Sequence, residues 1–147
     1  MNKGTSLQRF IDAQENDYEM ALSEIKHGRK RSHWMWYIFP QIQGLGFSST
    51  SKLYAIKDIH EAASYLQHPI LGNRLMEVCS ELLTLPGTDA HAVFGSPDDL
   101  KLRSSMTLFC SVPGSNPIFS EVLDKFFKGA KDGRTLEILQ IFNGDPY

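Results

Sequence analysis

Residues 30–41, KRSHWMWYIFPQ, set the tightest limit on what this chain can become. Read as a helix from a Ser32 cap to the break at Pro40, the stretch puts His33, Trp36 and Tyr37 on one face. Trp34 and Ile38 lie four apart on another, and Met35 and Phe39 fill most of what remains. A helix that is apolar nearly all round belongs inside a core. The rest of the chain must therefore supply apolar faces to enclose it.

It supplies them as helices. Thr5 or Ser6 can cap a helix bearing Leu7, Phe10 and Ile11, and Asn16 or Asp17 starts a second with Tyr18, Ala21, Leu22 and Ile25, closed by Gly28. Residues 41–50 read as a loop and 51–56 as a short helix. Asp58 with Glu61 resembles a capping box for a helix through Leu66. Pro69 restarts the chain under a stripe of Leu71, Leu75, Val78, Leu82 and Leu85, and Pro86-Gly87 ends it. One turn is expected at 89–94. Ser96, Pro97, Asp98 and Asp99 form a cap, a first-turn proline and two dipole-stabilising surface carboxylates. Asn116-Pro117 repeats the device ahead of Ile118, Val122, Phe126 and Phe127, with Gly129 as the stop, and a last helix spans 134–142. No stretch alternates as a strand does, and there is no repeat. The reading is an all-α single domain over 1–147, with about eight or nine short helices and a core over about 7–142. Trp34 or Trp36, Leu75, Val78, Phe109 and Phe126 belong to that core.

A net charge of −2 argues against a dedicated nucleic-acid binder, since basic residues concentrate only at 26–31. No apolar run approaches the ~18 residues of a membrane span, and the N-terminal residues lack a signal core. Cys79 and Cys110, each in an apolar helix-like stretch, are expected free in a reducing cytoplasm. No metal-ligand spacing, phosphate loop or nucleophile motif is present, so no metal, cofactor or reaction is expected from motifs.

The second informative stretch is 94–109, FGSPDDLKLRSSMTLF. Leu100, Leu102, Met106, Leu108 and Phe109 call for burial, yet Arg103, Ser104 and Ser105 run through the middle. A buried charge requires a partner. Either Arg103 pairs with Glu77, Glu81 or Asp124, or it faces a polar cleft.

GRKRSHWMWYIFPQ, HPILGNRL and FGSPDDLKLRSSMTLF together resemble the domain of unknown function eighteen-ten, a family of small bacterial and fungal proteins, over about 7–139. Motif positions match at Arg31, His33, Trp34, Trp36, Pro40, Gln41, Ser96, Asp98, Lys101, Arg103, Ser104 and Ser105. The resemblance implies a mostly helical fold and brings no catalytic role. The calpastatin label sometimes attached to the family does not suit a compact, aromatic-rich chain, because calpastatins are long disordered inhibitors.

Two functions remain open. In one, segments 29–41 and 96–105 meet in a polar-aromatic pocket for a small anionic or planar ligand. Arg31 and Arg103 hold the anion, Trp34 or Trp36 stacks, His33 moves a proton, and Lys101, Ser104 and Ser105 complete the wall. In the other, exposed aromatics of the 32–39 helix anchor a protein partner. Both segments being purely structural is the third outcome.

Overall fold

The stripe of Phe10, Gln14, Tyr18, Ala21, Leu22 and Ile25 runs unbroken through Asn16 and Asp17, so one helix, α1 (Gln8–Lys26), replaces the two expected. Asn16 is exposed, where a mid-helix asparagine costs only tenths of a kcal/mol. Asp17 accepts the Tyr37 hydroxyl. The structure, a computed structural model, describes residues 6–140. Ser6 accepts the Gln8 N–H at 3.2 Å as the helix opens; Thr5 lies outside the described residues.

The aromatic stretch forms only a single turn, α2 (Met35–Ile38), not a helix from Ser32. Ser32 does not cap it because its N–H and hydroxyl both go to Glu24, at 3.0 and 2.6 Å. α3 (Ser49–Leu53) begins two residues earlier than expected, since Ser48 accepts the Ser51 N–H. α4 (Ile59–Gln67) opens on Asp58, whose carboxylate accepts the Glu61 N–H at 2.9 Å. The return bond of a full capping box is displaced: Glu61 accepts the Lys57 N–H instead, at 2.7 Å.

Pro69 is not the first residue of α5 (Leu71–Thr84); the His68 ring accepts the Ile70 and Leu71 N–H groups ahead of it. α6 (Ala90–Phe94) is capped by Asp89. α7 (Asp98–Cys110) follows a cis Ser96–Pro97 peptide, and the exposed Ser96 makes no cap bond. Asn116 accepts the Ile118 N–H to start α8 (Ile118–Phe127), and Lys128 and Gly129 stop it at φ of 56° and 80°. Asp132 caps α9 (Gly133–Leu139), which ends at Gln140 with φ of 60°, short of the expected 142; residues 141 and 142 lie outside the described residues.

Nine helices and no strand are present among the described residues, with one isolated parallel bridge between Ile42 and Ile56. α7 packs against α4, α6, α8 and α9, while α5 packs against α1, α4 and α8. The approach of α5 to α4 requires glycine: a Cβ on Gly72 would lie 2.1 Å from the Leu66 carbonyl oxygen. One apolar cluster contains Trp34, Leu75, Val78, Phe109 and Phe126, whereas Trp36 is only half-buried. Cys79 and Cys110 are free, and burial pushes both thiols up from their ordinary value. No helix among the described residues is long and apolar enough to cross a membrane.

Candidate functional site

Asp98 joins the two signature segments. Its carboxylate lies 2.8 Å from Lys30 Nζ and 3.1 Å from Lys101 Nζ. Burial raises its pKa, but the bonds and charges of Lys30 and Lys101 outweigh that and hold it below the ordinary value. Asp98 is therefore more than the surface dipole group expected of a first-turn aspartate. The two lysines lie over the two tryptophans, Lys30 at 5.1 Å from the Trp34 ring and Lys101 at 4.2 Å from that of Trp36.

A surface hollow of about 230 Å³ opens at this junction. Trp36 and Gln41 form one side, and Leu100, Lys101 and Ser104 of α7 form another. Asp132 and Arg134, at the start of α9, with Leu45, Gly46 and Pro97, complete it. Gly46 keeps the loop tight on this wall, because a Cβ there would sit 2.6 Å from the Ser51 side chain and 3.4 Å from Trp36. Gln41 is fixed by its backbone, whose carbonyl accepts the Ile56 N–H at 2.8 Å. Its side-chain Nε2 is buried and has no partner. Asp132 accepts the Thr135 N–H and hydroxyl, and its Oδ2 lies 3.1 Å from the Ser104 hydroxyl.

Arg103 turns to Asp132, at 3.9 Å, not to Glu77, Glu81 or Asp124. Its Nε is buried without a partner. Of the residues singled out in the sequence, Trp36, Lys101 and Ser104 line the hollow, and Arg103 reaches it only through Asp132. Ser105 is fully buried with an unpaired hydroxyl. His33 is exposed. Arg31 lines a different hollow, with Ser23, Glu24, His27 and Arg29, so it does not converge with Arg103. Gln41, Asp132 and Arg134 had drawn no role from the sequence. The Asp-Gly pair at 132–133 was a legible helix start that could have drawn attention to Asp132.

Trp34 is fully buried, and its indole N–H donates to Glu24 at 2.9 Å. Glu24 also accepts the Arg31 and Ser32 N–H groups and the Ser32 hydroxyl. Burial raises the Glu24 pKa, yet these bonds, led by the Ser32 hydroxyl, bring it down from 4.5 to about 2. A carboxylate with a depressed folded value adds stability that is full above its unfolded pKa and lost as pH falls through the folded one. Urea midpoints are therefore expected to fall between pH 4.5 and about 2. Glu24→Gln should be less stable at neutral pH and lose less over that window. An unchanged acid profile in this variant would remove Glu24 from the account.

Comparison with known proteins adds family and fold. A family model described as a protein of unknown function, DUF1810, matches residues 4–139. The crystal structure of the conserved hypothetical protein Rv1873 from Mycobacterium tuberculosis is 43% identical, with a TM-score of 0.90. That match covers 94% of this chain and 99% of the mycobacterial one. Among curated proteins, none matches.

Proposed function

We propose that this chain, which belongs to the DUF1810 family of proteins of unknown function, binds a small anionic or planar ligand in the hollow between Trp36 and α7. The observation carrying this reading is the wall shared by Trp36, Lys101 and Arg134: Lys101 Nζ lies 4.2 Å from the Trp36 ring, and all three residues line the hollow. Trp36 offers a flat apolar surface, and Lys101 and Arg134 offer cationic donors. Arg103 acts through Asp132 as a positioning residue. The roles first considered for Arg31, His33 and Trp34 lack support from their surroundings.

A docking face on the 32–39 stretch is less well supported. Trp34 and Phe39 are fully buried and Trp36 and Tyr37 half-buried, so the stretch offers no exposed aromatic row. The free thiols of Cys79 and Cys110 support a cytoplasmic setting.

The two indole N–H signals in a nitrogen–proton correlation spectrum test the binding role. A screened metabolite that binds should shift the Trp36 signal and leave that of Trp34 in place. At ~100 times its dissociation constant it should add roughly 2.7 kcal/mol of stability. Lys101→Met should weaken binding of an anion about tenfold, the equivalent of one charge-assisted hydrogen bond. Stabilising metabolites that never move the Trp36 signal would place binding elsewhere.

A further inference from the structure

We infer that Arg29 and Arg31 form a docking site for an acidic segment of a partner protein, separate from the hollow between Trp36 and α7. Four of the six arginines find partners within the fold. Arg9 pairs with Glu61, Arg103 with Asp132 and Arg134 with Glu137, while Arg74 donates to Gln14 at 3.3 Å and lies over the Tyr18 ring. Arg29 and Arg31 are the exceptions. Both are exposed, and neither guanidinium has a hydrogen-bond or ion-pair partner among the described residues.

The chain presents the two together. Lys30, between them, turns inward to Asp98 with a side chain only 8% exposed, whereas Arg29 and Arg31 line one hollow with Ser23, Glu24 and His27. Three backbone bonds hold this arrangement. The Arg29 N–H donates to the Glu24 carbonyl at 3.0 Å, that of Lys30 to the Val93 carbonyl at 2.7 Å, and that of Arg31 to Glu24 Oε1 at 2.8 Å. A backbone already fixed loses little freedom when its side chains engage a partner. Glu24, the carboxylate among the lining residues, leaves both guanidinium groups open: it accepts the Arg31 and Ser32 N–H groups, the Ser32 hydroxyl and the Trp34 indole N–H instead.

Charge and wall chemistry select the occupant. Guanidinium forks take carboxylates bidentately, and Lys26, on an adjoining hollow that shares His27, adds a third cation. No aromatic or aliphatic side chain lines the arginine hollow, so it offers a nucleobase no stacking surface. Four of its five lining residues are exposed, which suits a chain laid across the surface and not a small molecule enclosed by it.

Nitrogen–proton spectra of the full chain, read at the Arg29 and Arg31 backbone and side-chain Nε–H signals, test this with hexaglutamate, hexaglutamine, inorganic phosphate and oligothymidylate. Hexaglutamate should shift the signals of both arginines, and hexaglutamine should shift neither. Arg29→Gln and Arg31→Gln should each weaken hexaglutamate binding about tenfold, with amide dispersion verifying that the variants are folded. Lys57→Gln removes the same charge elsewhere and should leave binding unchanged. Lys57 adjoins Glu61 and Arg9 at the start of α1, roughly 28 Å from the end of that 19-residue helix. An equal loss in Lys57→Gln would reduce the effect to net charge and overturn the site. Tighter binding of phosphate or oligothymidylate overturns the choice of partner, and hexaglutamate that leaves the Arg29 and Arg31 signals in place overturns the inference altogether.

Discussion

Trp34→Ala is expected to lower the unfolding free energy by about 3–5 kcal/mol, measured as a shift in urea midpoint at constant slope. Trp34 is among the largest fully buried side chains, with ring centroids of Phe39 and Phe94 at 6.2 and 6.3 Å. Those two rings meet each other edge-on at 5.9 Å, so truncation empties the centre of a three-ring cluster. Loss of the indole N–H matters less, because Glu24 keeps the Arg31 and Ser32 donors. Trp34→Phe, which retains much of the volume and removes that donor, should cost markedly less. Trp36→Ala should also cost less, since Trp36 is half-buried and faces the hollow. Equal losses at the two positions would contradict this division into one core tryptophan and one site tryptophan.

That division is what the sequence could not make. In an assumed helix over 32–39 the two tryptophans lie on different faces, but a helix apolar nearly all round does not say which face is covered; the observed single turn buries Trp34 and leaves Trp36 half-buried. The helix starts that were legible rest on local bonds, such as Asp58 to the Glu61 N–H and Asn116 to the Ile118 N–H. Ser32 looked the same on paper, but Glu24, a turn and a loop upstream, engages its hydroxyl. That segments 29–41 and 96–105 could share a cleft was legible as one possibility, through Arg31 and Arg103, but the join is made by Asp98, which pairs with Lys30 and with Lys101. Which carboxylate answers which cation was not legible. Asp98 and Asp132 reach their places through tertiary packing, and no sequence spacing records that. Gln41 stood in view in the first signature stretch, but an unpaired amide becomes visible only once its neighbours are known.

Arg9→Ala is expected to cost about 3–5 kcal/mol, although nothing in the sequence drew attention to Arg9. Its side chain and that of Glu61 are only 7% and 10% exposed, and their ion pair spans 3.3 Å. The guanidinium also donates to the Leu53 carbonyl at 2.8 Å and the Ala55 carbonyl at 2.7 Å, tying α1 to the link between α3 and α4. Truncation would leave those carbonyls and a nearly buried carboxylate without their cation. Arg9→Lys should recover only part of the loss, because an ammonium cannot reproduce the planar fork. Much of the penalty belongs to the stranded charge, so Glu61→Gln in the Arg9→Ala background should restore stability. No recovery would mean that the carbonyl bonds, not the ion pair, hold this joint. The damage should also reach the hollow. Ala55 precedes Ile56, whose N–H holds the Gln41 carbonyl at 2.8 Å, so a loosened link frees a residue of the hollow's wall. Arg9→Ala should accordingly weaken binding at Trp36 even under conditions where the variant remains fully folded.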